Sequence, residues 1–229
     1  MIPFGPNDPT WLDNPALTTQ LLPAVRDTLY MVFSSGILTV LFGLPLGLLL
    51  VSSSPAGLRP RPALNRAVGL IVNIGRSFPF IILIIAIQPF TRLLVGTTLG
   101  WKAVVVPLTI GAIPFFARLV ETNIASIHPG KIEAAQMMGA SHLRIQWGVQ
   151  VREALPQLVQ STTVLLITLV GYSAMAGAVG GGGLGQMAIN YGYVRYQNDV
   201  MLVTVVLIII LVQAIQMVGD MISRLVDHR

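Results

Sequence analysis

The segment KIEAAQMMGASHLRIQWGVQVREALP, residues 131–156, is the longest polar-rich stretch between the hydrophobic runs of this chain. Its centre, Glu133-Ala134-Ala135-Gln136-Met137-Met138-Gly139-Ala140, has the form E-A-A-x-x-x-G-A. Pro129 and Gly130 break the chain before it, and residues 131–138 are good helix formers. Gly139 is placed to end that helix in the left-handed conformation, and Ser141 to cap the next one. The reading is two short helices joined at Gly139. Ala134, Ala135 and Ala140 keep its surface low, and Glu133 presents a charge. Two seats fit such a hairpin, a bilayer surface or a groove in another protein. Interfacial helices favour bulky apolar and basic residues, so an acidic, alanine-rich helix suits the groove better.

Outward from this loop the chain is oily. Of its 229 residues, 54% are hydrophobic and 10% charged, and the mean hydropathy is +0.75. Soluble domains carry about 25% charged residues, so the balance points to lipid as the solvent. A net charge of +5 invites a nucleic-acid reading, but that requires a clustered basic face. Here the cations stand between apolar runs, as expected of residues that fix topology, and no nucleic-acid partner is expected. Cysteine is absent from the sequence, which excludes disulfides, thiolate metal sites and cysteine nucleophiles.

A spanning helix needs about 20 mostly apolar residues. Five stretches qualify: 28–51, 67–87, 98–117, 158–179 and 200–219. The fold class is therefore an all-α membrane protein of five spans, with the polar loop between spans three and four. Span one holds Gly43 and Gly47 as a G-x-x-x-G, which fits either close helix approach or glycine merely tolerated in lipid. Span two is interrupted at Asn73, Gly75, Arg76 and Pro79. Residues 1–20, with Pro3, Pro6, Pro9 and Pro15 and no cation, lack the basic and apolar regions of a signal peptide and read as an extracytoplasmic leader. The membrane domain then covers 21–229, its polar loop about 121–156. An odd number of spans puts the termini on opposite faces. One face collects ten lysines and arginines, the other only Arg26, Arg92, Lys102 and Arg195. That bias places the Glu133 loop and the C-terminus in the cytoplasm and the N-terminus outside.

The chemistry that is missing narrows the function. His128, His142 and His228 all fall outside the spans, and no carboxylate lies within an apolar core. Proton-driven carriers need an ionisable relay at membrane depth. Arg76 is the one cation there, and a guanidinium does not shuttle protons. Ser173 lies in a span without a histidine, aspartate or lysine to activate it. H-E-x-x-H and Walker A sequences are absent. The run Gly180-Gly181-Gly182-Gly183-Leu184-Gly185 formally contains G-x-G-x-x-G but follows a membrane-length helix instead of a strand. It reads as a helix terminator or close-packed turn. No metal or cofactor is expected in this chain.

The loop resembles the EAA motif of ABC-importer permeases, the short coupling helix that docks in a cleft of a cytoplasmic ATPase. Ile145 and Pro156 stand where that motif has an apolar residue and a final proline, but its Leu-Pro is Val151-Arg152 here. NIGRSFPFIIL (73–83), PFTRLLVGTTLG (89–100), VPLTIGAIPFFARLVE (106–121) and LITLVGYSAMAGAVGGGGLGQ (166–186) resemble, more specifically, the permeases of methionine importers. The resemblance implies a homodimer in the bacterial inner membrane, two ATPase subunits that bind ATP and magnesium, and an extracytoplasmic methionine-binding protein. It implies that Glu133, Ala134, Ala135, Gly139 and Ala140 form the ATPase contact. It also implies a substrate path along span four, where Tyr172 and Ser173 precede Met175, one long flexible side chain among small ones. Met175 fits a gate at the two-fold axis, or ordinary packing. Arg76 fits snorkelling to the interface, lining of the inward path, or orienting the dimer. The rivals are a permease of the same type for another small solute, such as a different amino acid or a quaternary amine, a stand-alone secondary carrier or channel, and a membrane enzyme.

Overall fold

The computed structural model describes residues 11–227. His228, Arg229 and the first ten residues of the expected leader lie outside them. No strand occurs among the described residues. The helices are α1 (Pro15–Ser53), α2 (Pro62–Ser77), α3 (Phe80–Ala86), α4 (Gln88–Val95), α5 (Trp101–Ala125), α6 (Pro129–Met137), α7 (His142–Ile145), α8 (Leu155–Gly177), α9 (Gly183–Met187) and α10 (Asn198–Val226). Two π-helical turns, Gln146–Val151 and Ala188–Tyr193, follow α7 and α9. Four helices, α1, α5, α8 and α10, are long and apolar enough to cross a membrane, and α2 with α3 makes a fifth span if the bent pair counts as one.

The expected spans differ from these helices mainly at their ends. Span one starts at Pro15, not near residue 28, so residues 15–20 open α1. The cause is a cap that the polar composition hid. The Asn14 side chain accepts a hydrogen bond from the Ala16 amide at 2.9 Å, and Pro15 takes the first helical position. Ala16 and Ala24 then pack in a buried cluster with Leu184, Met187 and Val200. In span two the chain breaks at Phe78, which adopts an extended conformation (φ −74°, ψ 124°). Proline at 79 demands that of its predecessor. Residues 88–95 form a separate amphipathic helix that no apolar run announced, ended by left-handed Gly96.

The chain divides into two compact units, to which α1, α5, α8 and α10 each contribute. The first takes residues up to Ile37, Pro79–Ile110 and Leu166–Ile215. Its organising feature is the glycine turn after α8, in which Gly180, Gly182 and Gly183 have φ of +81°, +86° and +75°. The turn is pinned by Gly100 donating to the Gly180 carbonyl (2.9 Å) and by Leu184 donating to the Thr28 hydroxyl (2.9 Å). It is a close-packed turn. A Cβ on Gly185 would lie 2.5 Å from Cα of Ala174, so α9 crosses the end of α8 backbone against backbone.

The second unit takes Leu38–Phe78, Gly111–Leu165 and Gln216 onward. Here the G-x-x-x-G acts by close approach. A Cβ on Gly47 would meet the Ala117 carbonyl at 2.6 Å, and one on Gly43 would meet Phe116 at 3.0 Å. Arg118 on α5 donates to Glu121 (2.5 Å) and to the side-chain amide oxygen Oδ1 of Asn73 on α2 (2.6 Å). Asn123 donates to Ser161 on α8 (2.7 Å). Apolar contacts alone discriminate weakly between helices in lipid, and such side-chain bonds fix partners at modest gain. Arg118→Ala is expected to cost about 1–2 kcal/mol, read as a lowered Tm in detergent. A double-mutant cycle with Asn73→Ala should show coupling.

Candidate functional site: a capped hairpin and an uncovered helix face

The polar loop folds as two helices joined at Gly139, as its sequence predicts. Helix α6 begins earlier than expected because Pro129 occupies its first position, and the His128 ring nitrogen Nδ1 accepts from the Gly130 amide at 3.1 Å. Its end is a Schellman motif. Gly139 donates to the Gln136 carbonyl (2.9 Å) and Ala140 to the Ala135 carbonyl (3.1 Å), with Gly139 at φ +75°. The Ser141 hydroxyl accepts from the Arg144 amide at 3.4 Å and caps α7. Val151-Arg152 falls where a π-helical turn ends, and the backbone continues helically through it toward α8.

The hairpin has a fixed base and an open tip. Ala135 (4% exposed) and Ile145 are buried, Gln146 donates to the Leu48 carbonyl at 3.2 Å, and Lys131 pairs with Glu153. Glu133, Ala134 and Gly139 are exposed, and Ala140 is half-buried. Of the five residues expected to form the contact, Ala135 therefore faces inward and anchors the helix. Met137 and Met138 are 89% and 80% exposed. The motif's spacing treats these two methionines as unspecified positions, so sequence reasoning passed over them. Their clue was composition, since Met is over-used at adaptable binding surfaces.

The other expected site residues are placed apart from one another. On α8, the Tyr172 ring stacks on Phe80 with centroids 4.6 Å apart and planes 3° apart. Ser173 is buried and donates to the Val170 carbonyl at 2.8 Å, so its hydroxyl serves its own helix. Met175 is 51% exposed and shares an exposed face of α8 with Gly171, one turn earlier. Arg76 is exposed in the last turn of α2, where a cation complements the negative end of the helix dipole. Among the described residues no group of three or more histidines or carboxylates is gathered to hold a metal ion.

The chain is similar along most of its length to known proteins. A probable D-methionine transport system permease protein MetI of Vibrio cholerae is 54% identical over 209 residues, 91% of this chain and 93% of that protein. A methionine import system permease protein MetP of Bacillus subtilis is 44% identical over 92% of this chain and 95% of that protein. Among solved structures, a chain from inward-facing conformations of the MetNI methionine ABC transporter superposes with a TM-score of 0.92 at 48% identity, covering 94% of this chain and all of that one. Residues 43–229 match the family described as binding-protein-dependent transport system inner membrane component, and the chain belongs to that family of multi-pass inner-membrane permeases.

Proposed function

We propose that this chain is the membrane-spanning subunit of an ATP-driven importer of methionine, and that it hydrolyses nothing itself. The observation that carries the coupling role is the α6–α7 tip, where two methionines stand bare on a hairpin with a capped and buried base. A partner that covers Met137 and Met138 gains apolar burial, and the base makes the hairpin stiff enough to pass a push onward. The substrate follows from chain-long likeness to permeases named for methionine.

In this reading α2 and α3 count as one of five spans, the N-terminus lies outside with the leader, and the hairpin faces the cytoplasm, as the cation bias favours. Two copies pair, two ATPase subunits binding ATP and magnesium seat the hairpins, and an extracytoplasmic binding protein delivers methionine. Glu133, Ala134, Gly139 and Ala140 with the two methionines form the docking surface, and Ala135 holds it in place. Nucleotide-driven closure of the ATPases biases the spans between inward- and outward-facing states, which requires only differential contact with the two states.

Met175 closes the path where uncovered faces of α8 meet across the dimer axis, with Tyr172 braced by Phe80 beside it and Ser173 behind. Arg76 lies in the last turn of α2, at the end away from the cytoplasmic turn that precedes this helix. Met175→Ala opens this constriction and should raise basal ATPase activity or methionine leak in reconstituted vesicles. Unchanged leak and unchanged basal hydrolysis would remove Met175 from the gate. The function itself is tested by uptake in vesicles holding permease, ATPase and binding protein.

A further inference from the structure

Within the second unit, the C-terminal end of α1, the turn leading into α2, and α7 with its π-helical turn border an open pocket of about 340 Å³. That volume is at the low end of the ~300–1,000 Å³ typical of small-molecule sites. Its lining includes Arg59, Arg61 and Trp147 and holds no aspartate or glutamate. His142 adds an imidazole, and Ser52 a hydroxyl. The described ion pairs use other cations, Arg26, Arg118 and Lys131. Apart from Ser53 and Gln146 the rest of the wall is apolar, and it continues along α1. Leu49 and Pro45 line the cavity and Phe42 follows at helical spacing, all three exposed. Two guanidiniums, an indole and an exposed apolar ladder therefore share the end of a membrane-length helix.

We infer that this cavity binds the head group of an anionic phospholipid, the phosphate on Arg59 and Arg61 and one acyl chain along Leu49, Pro45 and Phe42. Basic pockets beside membrane helices select anionic head groups by charge, and tryptophan favours the interfacial level where the glycerol backbone lies. A soluble phosphate compound would satisfy the arginines but leave the apolar ladder bare. The inference needs only that the chain lies in a membrane, so it stands independently of the transported substrate and of the ATPase partner.

The test uses the assembled transporter in nanodiscs of phosphatidylcholine, with brominated-chain phosphatidylglycerol or brominated-chain phosphatidylcholine titrated in. Trp147 quenching is taken as the difference between wild type and Trp147→Phe. Phosphatidylglycerol should half-quench at about a tenfold lower mole fraction than phosphatidylcholine, given the weight of two arginines near an anionic lipid. Arg59→Gln/Arg61→Gln should abolish that preference, and Arg59→Lys/Arg61→Lys, which keeps the charges, should retain most of it. Equal quenching by the two lipids, or a glutamine variant that keeps the preference, overturns the site. Loss of the preference on adding excess inorganic phosphate would instead assign the cavity to a soluble anion and overturn the lipid.

Discussion

Gly139→Val is expected to lower ATP-driven uptake about 5- to 30-fold while leaving a folded permease that still binds its ATPase. No atom lies within 4 Å of a Cβ built at this position, so steric collision is not the cause. The cause is backbone geometry. Gly139 sits at φ +75°, and a β-branched residue is strained there. Relieving roughly 1–2 kcal/mol of strain means surrendering the two hydrogen bonds from Gly139 and Ala140 that close the Schellman motif. The tip then re-aims relative to its anchors, Ala135 and Ile145. A bias of that size shifts a two-state population by about 5- to 30-fold. Coupling should therefore fall by about that much, and ATPase activity should become insensitive to substrate. Gly139→Asn is the control, because asparagine tolerates the left-handed region; it should keep most of the uptake. Normal uptake with normally stimulated hydrolysis in the valine variant would remove the hairpin from the coupling path.

Gly177→Val and Gly185→Val should eliminate folded protein altogether. At both positions the added Cβ falls on backbone atoms, Gln186 and Gly185 in the first case and Ala174 in the second. Backbone has no rotamer to move into, so α9 must lift off the end of α8, and with it the turn bonded to Gly100 and Thr28. The cost belongs to the exceptional class above about 4 kcal/mol. The readout is the yield of monodisperse protein in detergent and its thermal transition. Gly171→Ala, on the same helix with nothing within 4 Å, should behave like wild type in both. A well-folded Gly177→Val protein would mean that the crossing is looser than the packing distances state.

These two cases divide what the sequence shows from what it hides. The hairpin was legible residue by residue, because helix ends are local: a left-handed glycine and a serine cap act within a few positions. Apolar length likewise exposed α1, α5, α8 and α10. The second span's break was visible in Pro79, which constrains Phe78 directly. The choice between close approach and tolerance at Gly43 and Gly47 was not local. It depends on Ala117 and Phe116, some seventy positions away, and only the fold brings them there. The start of α1 was missed because its cap, Asn14, lies in a polar, proline-rich stretch that resembles a tail. The side-chain Nδ2 of Asn14 also donates to the Asp199 carboxylate, 3.5 Å away at the start of α10. Helix α4 escaped because eight amphipathic residues are too short for an apolar-run criterion.

The site was less legible than the fold for the same reason. Exposure decides which residues meet a partner, and a spacing motif does not carry exposure. Ala135 belongs to the motif yet faces inward, while Met137 and Met138 are unspecified by it yet stand almost fully exposed. Ser173 reads like a path residue beside Tyr172 and Met175, but a helical turn places it on the buried side of α8. A three-residue run along a helix necessarily samples different faces.

Radiolabelled methionine uptake decides whether this permease imports methionine only when an ATPase drives it. The vesicles should contain the permease with its ATPase, and the binding protein should be added outside. The account predicts accumulation that requires ATP, stops when the ATPase is omitted, and is competed by unlabelled methionine. Equal flux without the ATPase, or ATP-dependent uptake that methionine does not compete, would contradict it.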